Sequence, residues 1–342
     1  MELQIVKPRS NFSAVSISTI EENNKTTNIP GVDNDNHIRN NFIEANTKTI
    51  DLKHLQEDCV IPNFSKDNES TISHQEFIKS IMHCTKSIYN KHQINPAEIR
   101  VSHEIKGRIP QAIGKPAKEL LEHEKTLYYE RMAFIIEIPT VIETINGNKL
   151  MLCVGGVRAY NQENLYSKKT IEKFKVFVGF QNLICTNLCI STDGFAAELR
   201  VSHSSELIEK VLELFQKYKM EKHLQGMEDL SRYQLTEHQF AQLIGRSKLY
   251  YHLPLQEKKI IPPLDFNDSQ INVVAKDYYQ DKSFSRNEDG SINLWNVYNL
   301  FTGANKSSYI DTFLDRTVNA YQFTNGMSKA LQGQGNYHWF LS

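Results

Sequence analysis

MAFIIEIPTVIETINGNKLMLCVGGV, residues 132–157, is the stretch that decides the fold. Two apolar, β-branched runs, Met132–Glu143 and Lys149–Val157, flank Ile145-Asn146-Gly147-Asn148. Asn-Gly is the pair a tight type I′ turn demands, because both central residues need positive φ. The stretch therefore predicts a β-hairpin.

Working outward, Phe174–Phe180 and Leu183–Ile190 form a second apolar, β-rich pair around Gln181-Asn182, and Asp193-Gly194 turns into Phe195–Val201. The economical reading is an antiparallel meander over about residues 98–201. Pro116–Tyr129, which contains Lys-Glu-Leu-Leu-Glu-His-Glu-Lys, reads as a charged helix leading into it. Before the strands, Ser73 with Glu76 makes a capping box, stapled by Ile72 and Phe77, for a helix through Tyr89. After His203 the chain reads as helical: Leu207, Ile208, Val211, Leu212, Phe215 and Tyr218 share one face, and Thr236 with Gln239 makes another capping box. Helices are also expected over Ile271–Tyr279 and from Ser308 onward. The fold class is α+β, an antiparallel sheet packed with helices before and after it around one shared core. No internal repeat is present.

Residues 1–70 are polar and rich in Asn, Ser, Thr and Asp. Seven Lys and Arg against eleven Asp and Glu leave them at −4. Such a segment buries too little to offset the entropy of ordering it, and is read as a poorly ordered arm. The domain expectation is thus an arm over 1–70 and one domain over 71–342, with a helical half at 203–342.

Over the whole chain 39 basic residues face 40 acidic ones, so no global field draws it to nucleic acid or an acidic membrane. The start, Met1 to Ser10, lacks the apolar core of a secretory signal. The apolar run at 132–142, interrupted by Glu137 and Pro139, is far short of the ~18 to 20 residues that span a bilayer. Five cysteines in 342 residues read as reduced thiols in a cytoplasmic protein, with no membrane partner.

Familiar chemistries fail on their spacing. Cys185 and Cys189 on one strand stand about 13 Å apart, too far to share a tetrahedral zinc. His123-Glu124 opens a zinc-helix pattern, but Leu127 stands where the second histidine belongs. Gly303-Ala304-Asn305-Lys306-Ser307-Ser308 echoes a phosphate-binding loop without its second glycine or its preceding strand, and Lys306 reads as part of a turn. No nucleophile elbow and no dinucleotide fingerprint occurs. No metal, cofactor or catalytic set is expected; His103, Glu104 and Arg108 are nominal candidates for an enzyme without an advertised motif.

One local patch stands out. Between Tyr166 and Phe177, Lys168, Lys169, Lys173 and Lys175 face Glu172 alone, for a local +3, with Arg158 and Tyr160 just before. Cations interleaved with aromatics are how single strands are held, by phosphate contact and base stacking. Phe174 and Phe177, three apart, would face opposite sides of a strand. Trp295, Tyr298 and Phe301 read as interhelical core.

The segments VSHEIKGRIP (101–110), EKTLYYERM (124–132), FVGFQN (177–182), QFAQLIGR (239–246) and LFTGANKSSYID (300–311) resemble the family labelled domain of unknown function 3871, found in the Bacteroides group. The likeness runs from about Glu98 to the C-terminus. WNVYNLFT (295–302) is more faintly similar to a broader family of phage- and plasmid-like proteins with an aromatic-x-x-Tyr-Asn-x-x-Thr motif. The resemblance implies carriage on mobile elements and a role near DNA, and supplies no catalytic residues. The leading expectation is a non-enzymatic protein handling single-stranded nucleic acid. The alternative is a factor docking on a host protein through residues 1–70.

Overall fold

The computed structural model describes residues 4–5, 41–59, 62–63, 71–160 and 171–342. Early elements are β1 (Gln4–Ile5), β2 (Lys48–Ile50), α1 (Leu52–Glu57), β3 (Pro62–Asn63) and α2 (His74–Ile88); β1 pairs with β3. The strand-rich middle holds β4 (Glu98–Val101), β5 (Glu104–Arg108), β6 (Lys125–Tyr129), β7 (Arg131–Ile145), β8 (Asn148–Ala159), β9 (Glu172–Asn182), β10 (Leu188–Cys189) and β11 (Phe195–Val201). Then follow α3 (Ser204–Lys217), α4 (Met220–Ser231), β12 (Gln234–Leu235), α5 (Glu237–Tyr250), α6 (Leu255–Lys258), α7 (Asp268–Gln280), β13 (Ile292–Asn293), α8 (Leu294–Asn305) and α9 (Ile310–Leu331). The protein is α+β.

The hairpin forms as its sequence demands. Asn146 and Gly147 have φ of 47° and 79°, and the β7–β8 ladder runs from Ile145–Asn148 to Arg131–Ala159. Its register shifts between Ile138 and Ile142, where Pro139 would otherwise withhold a ladder donor. The seven-stranded antiparallel sheet has the order β10-β9-β8-β7-β4-β2, with β11 also on β9.

Side chains alternate across this sheet, so both faces need cover. One face carries Phe134, Ile136, Val154, Phe174, Val176 and Val178, and lies in the larger core with Phe77 of α2 and Leu207, Val211 and Phe215 of α3. The other carries Ala133, Ile135, Cys153, Val157 and Phe177, covered by Ile310, Phe313, Leu314 and Val318 of α9 and by Phe42 and Ile43. The apolar interior therefore lies on both faces of the sheet. Phe174 and Phe177 do face opposite sides.

The boundary expected near residue 70 moves. Phe42 and Ile43 are buried, and β2 extends the sheet by pairing with β4, so 41–59 belong to the fold. Isolated apolar residues in a polar stretch gave too weak a signal. The other expectations for residues 1–70 fall largely outside the described residues.

Two local readings are corrected. Pro116–Tyr129 is not a helix: short 3-10 turns at Ala117–Glu119 and Glu122–Glu124 lead into β6, which pairs with β5. Its apolar residues made no helical stripe, and Leu127-Tyr128-Tyr129 favours a strand. Leu183–Ile190 is mostly turn, since Thr186 has φ of 59° and only Leu188–Cys189 pairs with β9. The capping boxes at Ser73 and Thr236 are both formed. The last helix begins at Ile310 rather than Ser308. Among the described residues, no helix is long and apolar enough to cross a membrane.

Gly156, in mid-sheet, positions α2. A Cβ on Gly156 would stand 2.6 Å from both the Lys175 carbonyl oxygen and the Phe77 ring. Phe77 fills that space, with Phe134 at 5.2 Å and Phe174 at 4.7 Å between ring centroids. Gly156→Ala is expected to cost about 2 kcal/mol by overpacking, with part of the loss relieved when Phe77→Leu is added. Urea unfolding of both single variants and the pair measures this. A neutral Gly156→Ala, or strict additivity, would contradict the packing.

Candidate functional site

The basic patch begins at a buried arginine. Arg158 lies near the end of β8 with its side chain wholly buried, its guanidinium 4.5 Å from the ring centroids of both Tyr160 and Phe174. It pairs with Glu172 at the start of β9. The Glu172 carboxylate in turn accepts from the Ile72 amide at 2.9 and 3.2 Å, just before α2. Arg158 thus ties two strands to the entry of a helix and presents nothing to a ligand.

Lys173 and Lys175 are brought together. They line a groove of about 520 Å³ with Val157, Ala159, Glu198 and Asp315. The groove's charge is balanced. Lys173 lies 3.0 Å from Glu198, which also meets Arg200 at 3.0 Å. The hydrogen bonds from Lys173 and Arg200 hold the Glu198 carboxyl below its ordinary range. Lys175 donates to the Asp311 carbonyl at 2.6 Å and pairs with Asp315, fastening α9 to the sheet. Lys168 and Lys169 lie outside the described residues.

The other singled-out residues hold structure together. Trp295, Tyr298 and Phe301 are fully buried, and Trp295 Nε1 donates to Asn148 Oδ1 at 2.6 Å, bolting α8 to the hairpin turn. Asn299 accepts from Asn182 Nδ2 at 3.2 Å and donates to the Trp295 carbonyl at 2.9 Å. Lys306, the lysine of the loop that echoes a phosphate site, is 6% exposed. Its Nζ donates to the Cys185 carbonyl and, at 2.9 Å, to Thr186 Oγ1, while its own carbonyl accepts from the Glu44 and Ala45 amides. Burial lowers its pKa, and Glu44 at 3.8 Å supports the charge. Sequence reasoning missed this latch, because its partners come from 120 and 260 positions away.

The nominal catalytic candidates do not converge. His103 is exposed, Glu104 meets Lys48 at 3.2 Å, and Arg108 donates to the Lys115 carbonyl at the opposite end of β5. The five cysteines are free, and among the described residues no group of three or more His, Cys, Asp or Glu is placed to hold a metal.

Fold and site together define an α+β protein whose most deeply buried charges fasten helices to a sheet. The chain belongs to the family described as "Domain of unknown function, B. Theta Gene description (DUF3871)", which matches residues 21–341. That match starts well before the expected Glu98 and takes in the buried segment around Phe42. No curated protein and no solved structure matches the chain.

Two buried histidines make the fold sensitive to acid. His74 donates through Nε2 to the Tyr129 carbonyl at 2.8 Å and stacks on Tyr160. Burial, with nearby Arg158, pushes its pKa down to about 3. His223 Nδ1 meets the Tyr218 hydroxyl at 2.8 Å, and burial pushes it down to about 3 as well. In the unfolded chain both titrate near their ordinary ~6.5. Their neutral forms are therefore fully compatible with folding above that value. As pH falls from there towards 3, the unfolded state gains protons the folded state does not. Each histidine then removes about 1.4 kcal/mol per pH unit. Urea midpoints are expected to fall steadily between pH 6.5 and 4.5, and His223→Gln to start lower with a shallower slope. An unchanged slope in that variant would show that His223 is not the group responsible.

Proposed function

We propose that this chain is a non-enzymatic, cytoplasmic protein of mobile elements that holds single-stranded nucleic acid through the connection between β8 and β9. The observation that carries this reading is the placement of Lys173 and Lys175. Both line a groove at the strand ends bounding residues 160–171, the connection that bears Lys168 and Lys169 beside Tyr166. Glu198 and Asp315 balance the groove itself, so the excess positive charge lies with Lys168 and Lys169. Binding carried by so few cations is weak and falls steeply with salt. Aromatic stacking by Tyr166 would make it tolerant of sequence. The fainter likeness of residues 295–302 to phage and plasmid proteins supports carriage on mobile elements.

Electrophoretic mobility of a labelled single strand tests the reading at low and at moderate salt. The full chain is expected to bind at low salt, and Lys168→Glu/Lys169→Glu/Lys173→Glu to lose at least tenfold in affinity. Lys175 is left intact because it fastens α9. Absence of binding at low salt, or an unaffected triple variant, overturns the proposal.

A second reading, docking on a host protein through residues 1–70, is favoured by one observation. Phe42 and Ile43 sit in the apolar cluster, and the Lys306 carbonyl holds the next two amides. Residues 41–45 are therefore seated on the body, and Gln4–Ile5 pairs with Pro62–Asn63. Removing residues 1–40 is expected to leave the thermal midpoint within a few degrees while abolishing co-purification of the partner. An unchanged set of co-purifying proteins would remove this alternative.

A further inference from the structure

We propose that the ribbon formed by β5 and β6 is a contact surface for duplex nucleic acid, separate from the lysines after β8. This inference rests on the reading of the chain as a nucleic-acid-associated protein and adds a duplex to the single strand proposed above. Among the described residues, β5 and β6 pair with each other and with no other strand. Their root is fixed. Tyr129 is buried, with its hydroxyl 2.9 Å from His54 Nε2, and the Arg131 amide donates to Ser102 Oγ at 3.2 Å. Their far end is open: Gln111 and residues 113–119 are all exposed.

The outgoing leg of that end is basic, and residues 105–125 together carry five cations against three carboxylates, a net of +2. From Ile105 to Lys118 there are four cations, Lys106, Arg108, Lys115 and Lys118, and no carboxylate. The return leg supplies Glu119, Glu122 and Glu124, and its pairings leave part of the positive charge available. Lys115 pairs with Glu124, Lys125 with Glu122, and Lys106 lies 3.7 Å from Glu104 while its side chain is 79% exposed. Among the described residues, Arg108 and Lys118 have no carboxylate within ion-pair distance. Ile113 stands between these cations with 56% of its surface exposed. It is followed by Gly114 at φ of 93° and then by Pro116, a turn that holds its aliphatic tip outward.

A two-stranded ribbon is narrow enough to enter a duplex groove. Paired strands of five residues extend about 17 Å, enough to reach across one. Lysine and arginine along such a ribbon meet phosphates, while an exposed isoleucine at its tip fits against or between base steps.

The test uses the full chain with a labelled duplex of about two helical turns and, in parallel, a labelled single strand of the same length, over a salt series. The duplex is expected to bind. Lys106→Glu/Lys118→Glu is expected to weaken it at least tenfold and to lower the logarithmic salt slope by about 2, since each phosphate contact contributes about 0.9. Ile113→Ser is expected to weaken duplex binding several-fold with the slope unchanged. All three positions are exposed, and the thermal midpoint of each variant confirms folding. Lys168→Glu/Lys169→Glu/Lys173→Glu is expected to lose the single strand and keep the duplex. Failure of both probes at low salt defeats the nucleic-acid reading as a whole. Single-strand binding without duplex binding, or a duplex held equally by Lys106→Glu/Lys118→Glu, defeats the ribbon alone. An Ile113→Ser variant that binds normally reduces the contact to phosphate only and overturns the part assigned to the isoleucine.

Discussion

The seating of Phe77 over Gly156 is the contact on which the arrangement of the larger core depends. Gly156 has the Lys175 carbonyl and the Phe77 ring where a side chain would begin, so the centre of the sheet is thinned at this point. The aromatic ring of α2 fits into the thinned place and touches Phe134 and Phe174 from the neighbouring strands. α3 then packs on α2, with the Cys84 thiol facing the Ile208 carbonyl at 3.7 Å. Gly155, one residue earlier, does the same for Phe177 on the opposite face, at 2.8 Å from where its Cβ would be. Two adjacent glycines therefore admit one ring on each side, as alternation along a strand requires.

Buried charge has a parallel role. Arg158 with Glu172 secures the entry of α2, and buried Lys306 secures the segment around Phe42 by donating to the Cys185 carbonyl and Thr186 Oγ1 while its own carbonyl accepts from the Glu44 and Ala45 amides. A buried pair such as Arg158–Glu172 contributes little net stability over apolar residues of the same volume, because desolvation offsets its attraction. The value of these contacts is geometric: removing one partner strands the other, so the helix and the N-terminal segment have few alternative positions. Lys175, read from the sequence as a cation for a nucleic-acid strand, and Lys306, read as part of a turn, both hold elements together.

Legibility divided along the range of the interactions. The Asn146-Gly147 turn and the capping boxes at Ser73 and Thr236 are decided by neighbours within a few residues, and all were readable. Opposite facing of Phe174 and Phe177 followed from period 2 alone. What could not be read depended on distant partners. Phe42 and Ile43 owe their burial to α9, some 270 positions on, and the burial of Arg158 follows from Glu172 meeting the Ile72 amide. The strand at Lys125–Tyr129 was hidden by the charged run before it, because its partner, β5, had no strong pattern of its own. The acid–base balance of the Lys173–Lys175 groove was equally invisible, since Glu198 and Asp315 come from β11 and α9.

Helix α9 touches both apolar clusters. Its first turns lie with Ile135, Val157 and Phe177, and its later residues, Ala320, Phe323, Met327 and Ala330, join the larger core. At 22 residues it is about 33 Å long. A single rigid rod bridging two interiors works as a splint. Neither face of the sheet loosens while the rod stays seated, and once it lifts, both interiors meet water together. The two halves of this protein therefore share one fate on unfolding, however separate they look in cross-section.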